Sequence, residues 1–208
     1  MMKLYYGPGT CALASHIALE EAGAEFEAVR LDMKASDQRK PEYLRINPKG
    51  RVPVLVTDRG VLTESPAILG YVADTHPDAK LAPTGDSFAT GQMQAFNLFL
   101  CSSVHVAFAM GRRGERYADD EAARESLKRK VPQTLDQHFA LIEDQLADGR
   151  PFVHGDAYTV SDPYLFLFSR WLDQRGLGSK EKTPHVYAHL QRVGERDATK
   201  RAIAREEG

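Results

Sequence analysis

The sequence contains few cysteines and no strong excess of charge, and each of these shortages excludes a class of protein. The only cysteines among its 208 residues are Cys11 and Cys101, so the chain is not a disulfide-stabilised scaffold, and a reducing compartment suits it. Its 27 basic and 29 acidic residues give a formal net charge of −2, which provides no reason to expect a nucleic acid or a membrane as partner. With 42% hydrophobic and 27% charged residues, the composition is that of an ordinary globular protein.

Long uninterrupted hydrophobic runs are also missing. The longest apolar stretch, residues 95–110, is interrupted by polar residues such as Asn97 and His105, and we expect it to be too short and too polar to span a bilayer. The N-terminus enters a strand pattern directly, without a basic segment followed by an apolar one, so no secretory signal is predicted. We therefore expect a cytoplasmic location.

Cys11 is the most informative residue that is present. It follows the apolar run of residues 4–6 and the turn of residues 7–10, and it opens a helical pattern that stops at Gly23. Free backbone N–H groups and the helix dipole favour an anion at a helix N-terminus. The pattern therefore predicts a thiol with a lowered pKa, whose thiolate is the reactive form. The alternative is a small buried cysteine that lies near a helix cap.

The chain changes character near residue 78. Upstream of it, strand and helix patterns alternate in the order βαβαββα, which predicts a small mixed α/β sheet with helices on its faces. The first two strands are expected to be parallel, through a right-handed crossover. Downstream, the pattern is helical, with an amphipathic stripe along residues 121–146 and a capping box indicated by Thr159 and Asp162.

Three segments are therefore expected. Residues 1–77 form the mixed domain, residues 78–86 form a linker, and residues 87–208 form an all-helical domain. Within the first domain, a hairpin is predicted over residues 52–62. Within the second, another helix is predicted over residues 185–195.

Four motifs occur in order along the chain, and together they carry a family resemblance. They read KLYYGPGTC at residues 3–11, NPKGRVPVL at 47–55, LTESPAI at 62–68 and GDAYTVSD at 155–162. With these motifs the chain resembles the cytosolic glutathione S-transferases, and it is most similar to the bacterial beta class, which carries a cysteine of catalytic type. The resemblance implies a thioredoxin-like N-terminal domain and an all-α C-terminal domain, in agreement with the change of character near residue 78.

The resemblance also implies a binding site for glutathione as co-substrate, with no metal. Val52-Pro53 resembles the cis-proline turn of the family, in which the residue before proline pairs its backbone with the cysteinyl part of glutathione. Glu64 resembles the acceptor for the γ-glutamyl ammonium, and Ser65 the donor to its carboxylate. The alternatives are an ordinary Val-Pro strand entry and a Ser65 that only caps a helix with Pro66 at its first position.

Three further residues are weaker candidates for the same site. Lys34 is a candidate for the glycyl carboxylate of glutathione, or it is a solvated surface lysine. Tyr6 matches a first-strand tyrosine and either donates to a sulfur or packs. Ser102 corresponds to a position that in relatives reaches the glutathione of the other subunit.

His105 matches a histidine that in the beta class approaches the thiol and glutathione. Protonated, it favours a thiolate, and neutral, it accepts a proton. The alternative is a histidine that belongs to the core. The chain departs from the family in having Val106 where a lysine is usual and Ala12 where a serine is common. Because Ala14 stands at the second thiol position of a Cys-x-x-Cys motif, a dithiol oxidoreductase is not expected.

The sequence thus predicts a glutathione transferase that works through Cys11 and His105. Cys11 either forms a mixed disulfide with glutathione or stabilises the glutathione thiolate for attack, and the substrate is a small electrophile, a disulfide or a peroxide. Relatives are homodimers, and a homodimer is expected. The alternatives are a non-catalytic binder of apolar ligands and a dedicated glutathione-dependent dehalogenase.

Overall fold

A four-stranded sheet lies at the centre of the first part of the chain in this computed structural model, which describes residues 1–207. The strands lie in the order β2-β1-β3-β4. The first two are parallel, and the other neighbours are antiparallel. The strands are β1 (Met2–Tyr6), β2 (Phe26–Arg30), β3 (Val54–Thr57) and β4 (Gly60–Thr63).

Three helices complete this part and give it the predicted βαβαββα order. They are α1 (Ala12–Glu21), α2 (Pro41–Leu44) and α3 (Ser65–Thr75). All residues of α1 from Ala12 to Leu19 are buried, because the helix contacts α3 on one side and later helices on others. The predicted mixed sheet with helices on its faces is confirmed.

The strand β3 begins at Val54, two residues later than the sequence predicts. Pro53 has no N–H to donate to a ladder, so the chain cannot join the sheet until it has passed the proline. The residues that were expected to open this strand form a bend just before it instead, and they remain available to the site described below.

The second part of the chain is helical throughout. A π-helical segment, Leu100–Val104, joins two of its helices into one continuous rod. The helices are α4 (Ser87–Phe99), α5 (His105–Arg112), α6 (Glu121–Leu146), α7 (Ser161–Gln174), α8 (Pro184–Gly194) and α9 (Asp197–Glu207). The predicted helical domain is confirmed.

The rod over residues 87–112 corrects the expectation about membrane spanning. It has 26 residues, and an 18-residue window within it reaches a mean hydropathy of 1.4, which by length and composition alone is enough to cross a bilayer. A core helix of a globular protein passes the same test. In this fold α5 packs on α6, α4 contacts α7, and Phe96, Leu100 and Phe108 belong to the hydrophobic core.

The start of α7 forms the carboxylate half of the predicted capping box, although α7 begins at Ser161 and its N-cap residue is Val160 rather than Thr159. Asp162 is fully buried, and its carboxylate accepts hydrogen bonds from the Thr159 N–H at 2.7 Å and the Val153 N–H at 2.9 Å. His189 of α8 lies 2.9 Å from the same carboxylate. One side chain therefore joins two helices and the loop between α6 and α7.

Helix α9 was not predicted, and it lies against the first domain rather than the second. It packs along α1, with Ala198 and Ala202 buried in the contact region. Three arginines in or just before α9 form ion pairs with glutamates at the end of α1. The last helix is therefore a structural part of the domain that carries Cys11.

Candidate functional site

Cys11 lies at the N-terminus of α1, after the turn of residues 7–10. As the N-cap residue it has helical backbone angles (φ −66°, ψ −6°), and its side chain does not cap the helix. The thiol instead donates a hydrogen bond to the Val52 carbonyl oxygen, with 3.3 Å between sulfur and oxygen. The start of α1 and the turn before β3 therefore meet at this sulfur.

Burial, rather than the helix terminus, controls the ionisation of this thiol. The sequence predicts a lowered pKa, and that prediction is wrong, since burial raises the pKa of Cys11 to about 11 even though the residue keeps partial exposure. The Ser65 side chain and the cation of Arg113 act to lower this pKa but do not outweigh the loss of solvation. At neutral pH Cys11 is therefore a neutral S–H donor.

The turn before β3 contains a cis peptide bond between Val52 and Pro53, as the resemblance implies. Two buried side chains hold it from inside the fold. The Arg51 carbonyl accepts hydrogen bonds from the Tyr43 hydroxyl at 2.6 Å and from the Asn47 amide at 2.8 Å. These hydrogen bonds fix the turn, so that the Val52 carbonyl faces the thiol of Cys11.

Glu64 has an unusual backbone conformation just before α3. Its φ of 72° and ψ of 124° lie in a region that non-glycine residues rarely adopt, and such residues cost about 1–3 kcal/mol. Its carboxylate is paired with the Lys49 ammonium, which also donates to the Thr63 hydroxyl at 2.7 Å. The predicted acceptor for the glutathione ammonium is thus already shared with a cation of this chain.

Ser65 is the first residue of α3, with Pro66 next to it in the first turn. It is buried, and its side chain is near enough to Cys11 to act on the pKa of the thiol. The buried hydroxyl of Tyr164 lies beside the same serine and beside Cys101. A polar cluster therefore links the starts of α1, α3 and α7.

His105 begins α5 and faces an aromatic wall. Its ring lies 5.5 Å from the ring of Phe168 and 5.6 Å from that of Trp171. Burial first, and the cation of Arg113 next, lower the pKa of His105 to about 4. The imidazole is neutral at physiological pH, so the predicted role of an imidazolium beside the thiol is not supported, whereas a neutral acceptor is compatible with the structure.

Arginine side chains from both domains surround this region. Those whose cations bear on the pKa of His105 are Arg113, Arg51, Arg116 and Arg175. The guanidinium of Arg175 lies over the Trp171 ring, 4.7 Å from its centroid. None of these four arginines forms an ion pair with an acidic side chain among residues 1–207, where the ion-paired arginines are different ones. The local excess of positive charge favours an anionic ligand.

Tyr6 is occupied by a contact with the last helix. Its hydroxyl donates to the Arg205 carbonyl oxygen at 3.1 Å, and its ring packs on His16 at 5.4 Å between centroids. These contacts favour the packing alternative over donation to a sulfur.

Lys34 and Ser102 are both exposed and lie outside this polar cluster. The N–H of Lys34 donates to the Asp32 side chain, in a surface loop. The Ser102 hydroxyl donates to the Leu98 carbonyl of its own helix at 2.8 Å. Their proposed contacts with glutathione stay predictions.

The structure adds residues that sequence reasoning did not single out, namely Tyr43, Asn47, Lys49 and Tyr164. Asn47 and Lys49 stand in the NPKG segment, whose turn-forming composition is a usable signal. Tyr43 and Tyr164 carry no such signal, because Tyr43 acts on the Arg51 carbonyl eight residues later and Tyr164 lies beside residues from distant parts of the chain. A cavity of about 700 Å³ between α4 and α6 contains none of the site residues, and we do not assign it to this site.

Comparisons with protein-family models give two matches. Residues 1–74 match the model described as "Glutathione S-transferase, N-terminal domain", and residues 99–197 match "Glutathione S-transferase, C-terminal domain". Among curated proteins, the chain is 33% identical over 207 residues to glutathione S-transferase GstA of Escherichia coli O157:H7. The aligned region covers 99% of this chain and 98% of that protein.

Solved structures give the same result. A glutathione transferase homologue from Sulfitobacter with bound glutathione has a TM-score of 0.92 and 38% identity, covering 99% of this chain and 98% of that one. A beta class glutathione S-transferase from Sphingomonas chungbukensis has a TM-score of 0.84 and 33% identity, covering 98% of each chain.

The raised pKa of Cys11 predicts slow alkylation at neutral pH. In a Cys101→Ala background, we expect the reaction with iodoacetamide to accelerate steadily as the pH is raised towards the pKa of about 11, because only the thiolate attacks. The rate is measured by intact-mass spectrometry, and Cys11→Ser in the same background is the control that should show no alkylation. A rate that already levels off near neutral pH would contradict the raised pKa.

Proposed function

Because the chain belongs to the glutathione S-transferase family, we propose that it binds glutathione with the tripeptide sulfur against the thiol of Cys11. The contact between Cys11 and Val52 carries the proposal. The thiol that meets the glutathione sulfur lies 3.3 Å from the carbonyl that would pair with the cysteinyl backbone. The similarity to a glutathione-bound relative over 99% of this chain supports the same placement.

The γ-glutamyl end of glutathione would lie at the start of α3. Ser65 offers a backbone N–H that the helix leaves unpaired, which suits the carboxylate. The Glu64 carboxylate accepts the ammonium and exchanges its partner Lys49, since exposed ion pairs contribute little to stability. The released Lys49 then joins the cations that favour the anionic tripeptide. Lys34 stays a candidate for the glycyl carboxylate.

Conjugation is the reaction that a neutral Cys11 supports directly. In this reaction the S–H turns from the Val52 carbonyl, which pairs with the cysteinyl backbone instead, and donates a hydrogen bond to the glutathione thiolate, which attacks a small electrophile. Hydrogen bonding to the charged form of a group favours that form, and the surrounding guanidinium groups act in the same direction. Neutral His105 is a candidate to accept the proton that glutathione loses.

Thiol transfer is a second reaction of the same site, and the free, partly exposed state of Cys11 favours it. The Cys11 thiolate attacks the glutathione sulfur of a disulfide between glutathione and a substrate thiol, so that a Cys11–glutathione bond forms and the substrate thiolate leaves. A second glutathione thiolate then attacks this mixed disulfide, which releases Cys11 and forms glutathione disulfide. The high pKa makes the first step slow at neutral pH and faster in base.

A pure binder of apolar ligands is not favoured, because such a protein has no use for the glutathione site assembled around Cys11. A dedicated dehalogenase is not favoured either, because the relative from Escherichia coli is named a glutathione S-transferase. We further propose a cytoplasmic location, as expected from the sequence.

We also propose a homodimer in which the first domain of one subunit packs on the helical domain of the other. Phe88 and Leu98 of α4 are 74% and 57% exposed, and Ser102 lies one turn beyond Leu98. An interface over this face would cover the apolar side chains and bring Ser102 towards the other subunit. Light scattering at micromolar concentration is expected to give twice the monomer mass of 23.1 kDa, and a monomer mass would contradict the proposal.

The covalent role of Cys11 predicts a defined adduct. Incubation with glutathione disulfide is expected to add one glutathionyl group to the protein, faster at alkaline than at neutral pH because thiolate is required. Intact-mass spectrometry of wild type, Cys11→Ala and Cys101→Ala measures this. An adduct that persists in Cys11→Ala would exclude Cys11 as the nucleophile. Unchanged disulfide reduction by Cys11→Ala would exclude the thiol-transfer route.

Glu64 offers a test in which stability and binding move in opposite directions. Glu64→Gly should raise the melting temperature, because glycine adopts a φ of 72° without strain, and should lower glutathione affinity about tenfold through loss of a charged hydrogen bond. Glu64→Gln, which keeps the backbone strain, is the matched control and should lower affinity without stabilising. Calorimetry measures both quantities. Unchanged affinity in both variants would remove Glu64 from the site.

A further inference from the structure

Helix α9 is attached to the end of α1 by ion pairs. The guanidinium groups of Arg201 and Arg205 lie 2.8 Å and 3.0 Å from the Glu20 carboxylate. Arg196, just before α9, forms a two-pronged pair with Glu21. Both glutamates are largely buried, so these pairs are held in a fixed geometry rather than dispersed in solvent. The last helix is therefore firmly placed relative to α1.

Glu206 of α9 reaches the turn that precedes Cys11. It is only 4% exposed, and one carboxylate oxygen accepts a hydrogen bond from the Gly9 N–H at 3.1 Å. The other oxygen is buried and has no hydrogen-bond partner among residues 1–207. Burying a carboxyl group with a single partner is costly. No role described so far accounts for this carboxyl group.

The contacted turn determines where Cys11 lies. Gly9 has a φ of +68°, a conformation that favours glycine. The Thr10 hydroxyl donates to the Gly7 carbonyl at 2.7 Å and accepts from the Ala12 N–H at 3.3 Å, so the turn is continuous with the first residues of α1. The Gly9 N–H takes no part in this network, and the Glu206 carboxylate is its hydrogen-bond partner.

We propose that Glu206 is a positioning residue for Cys11, whose carboxylate holds the Gly7–Thr10 turn so that the thiol stays directed at the Val52 carbonyl and at the glutathione sulfur. The part that concerns glutathione rests on the proposed function. The part that concerns the thiol rests on the hydrogen bonds alone. Tyr6 supports the same attachment, since its hydroxyl donates to the Arg205 carbonyl next to Glu206.

The positioning depends on pH. Burial raises the pKa of Glu206 to about 7, while the Gly9 N–H and the cations of Arg170 and Arg30 oppose this rise and the neighbouring Glu207 adds to it. The Tyr6 hydroxyl on β1 is also close. A hydrogen bond to a carboxylate is about twice as strong as one to a neutral acceptor. The turn is therefore held more firmly as the pH rises through neutrality.

Ionisation of Glu206 has the opposite effect on stability. Its pKa in the folded chain is raised above the ordinary value of 4.5, so folding favours the neutral acid. The corresponding stability is fully present below pH 4.5 and is lost as the pH rises through about 7. Over the same pH range, therefore, the folded chain becomes less stable while the turn that positions the Cys11 thiol is held more firmly.

The test compares Glu206→Ala, Glu206→Gln and the control Glu207→Ala, all in the Cys101→Ala background. Glu207 is the exposed neighbour whose carboxylate lies near Arg170 rather than the turn. Glu206→Ala is expected to alkylate several-fold faster with iodoacetamide, because the thiol is released from Val52, and to lose about tenfold in kcat with little change in KM for glutathione. Glu207→Ala is expected to match the parent in both measurements at a pH well above 7, where the Glu206 carboxyl group is ionised with or without its neighbour.

Glu206→Gln keeps an uncharged hydrogen-bond acceptor at this position. It therefore distinguishes an effect of Glu206 on the position of the thiol from an effect on the stability of the fold alone. Its alkylation rate relative to the parent is expected to change between about pH 6 and pH 8, because only the parent titrates there. A constant ratio, or a folded Glu206→Ala that alkylates like the parent, would overturn the proposal even if the melting temperature falls. Failure of the proposed function is recognised separately, as a parent without glutathione turnover, since alkylation needs no glutathione.

Discussion

The hydrogen bond from the Cys11 thiol to the Val52 carbonyl is the contact on which the rest of the site depends. It joins two turns that have no regular pairing with one another, and each turn is held by its own set of buried groups. Tyr43 and Asn47 fix the proline turn through the Arg51 carbonyl. The start of α1 is fixed by the last helix. The sulfur of Cys11 is therefore located by side chains from widely separated parts of the chain.

Loss of solvation dominates the electrostatics of this site. Cys11 and His105 are both driven towards their neutral forms, one by a raised and the other by a lowered pKa. The chain keeps its positive charge on arginines instead, since a guanidinium stays protonated even when it is partly buried. A site of this kind offers fixed cations and a neutral donor to an incoming anion, and it leaves ionisation to the ligand.

Much of the fold could be predicted, because periodicity and motifs are local properties of the chain. The βαβαββα order, α6 and the cap at Asp162 follow from spacings within a few residues. The pKa of Cys11 could not be predicted, because a helix N-terminus is visible in the sequence and the atoms packed around it are not. The pairing of Lys49 with Glu64 and the docking of α9 were missed for the same reason, since each joins segments that only the fold brings together.

The contact between Gly9 and Glu206 joins residues 197 positions apart, which has a consequence for how the protein is made. Contacts of such long sequence separation form late, because the entropy of closing the loop must be overcome first. During synthesis, the sheet and α1 emerge from the ribosome long before α9 exists. Cys11 is therefore translated near the beginning, yet its surroundings are completed near the end, and a nascent chain carries an unfinished candidate site until its last helix docks.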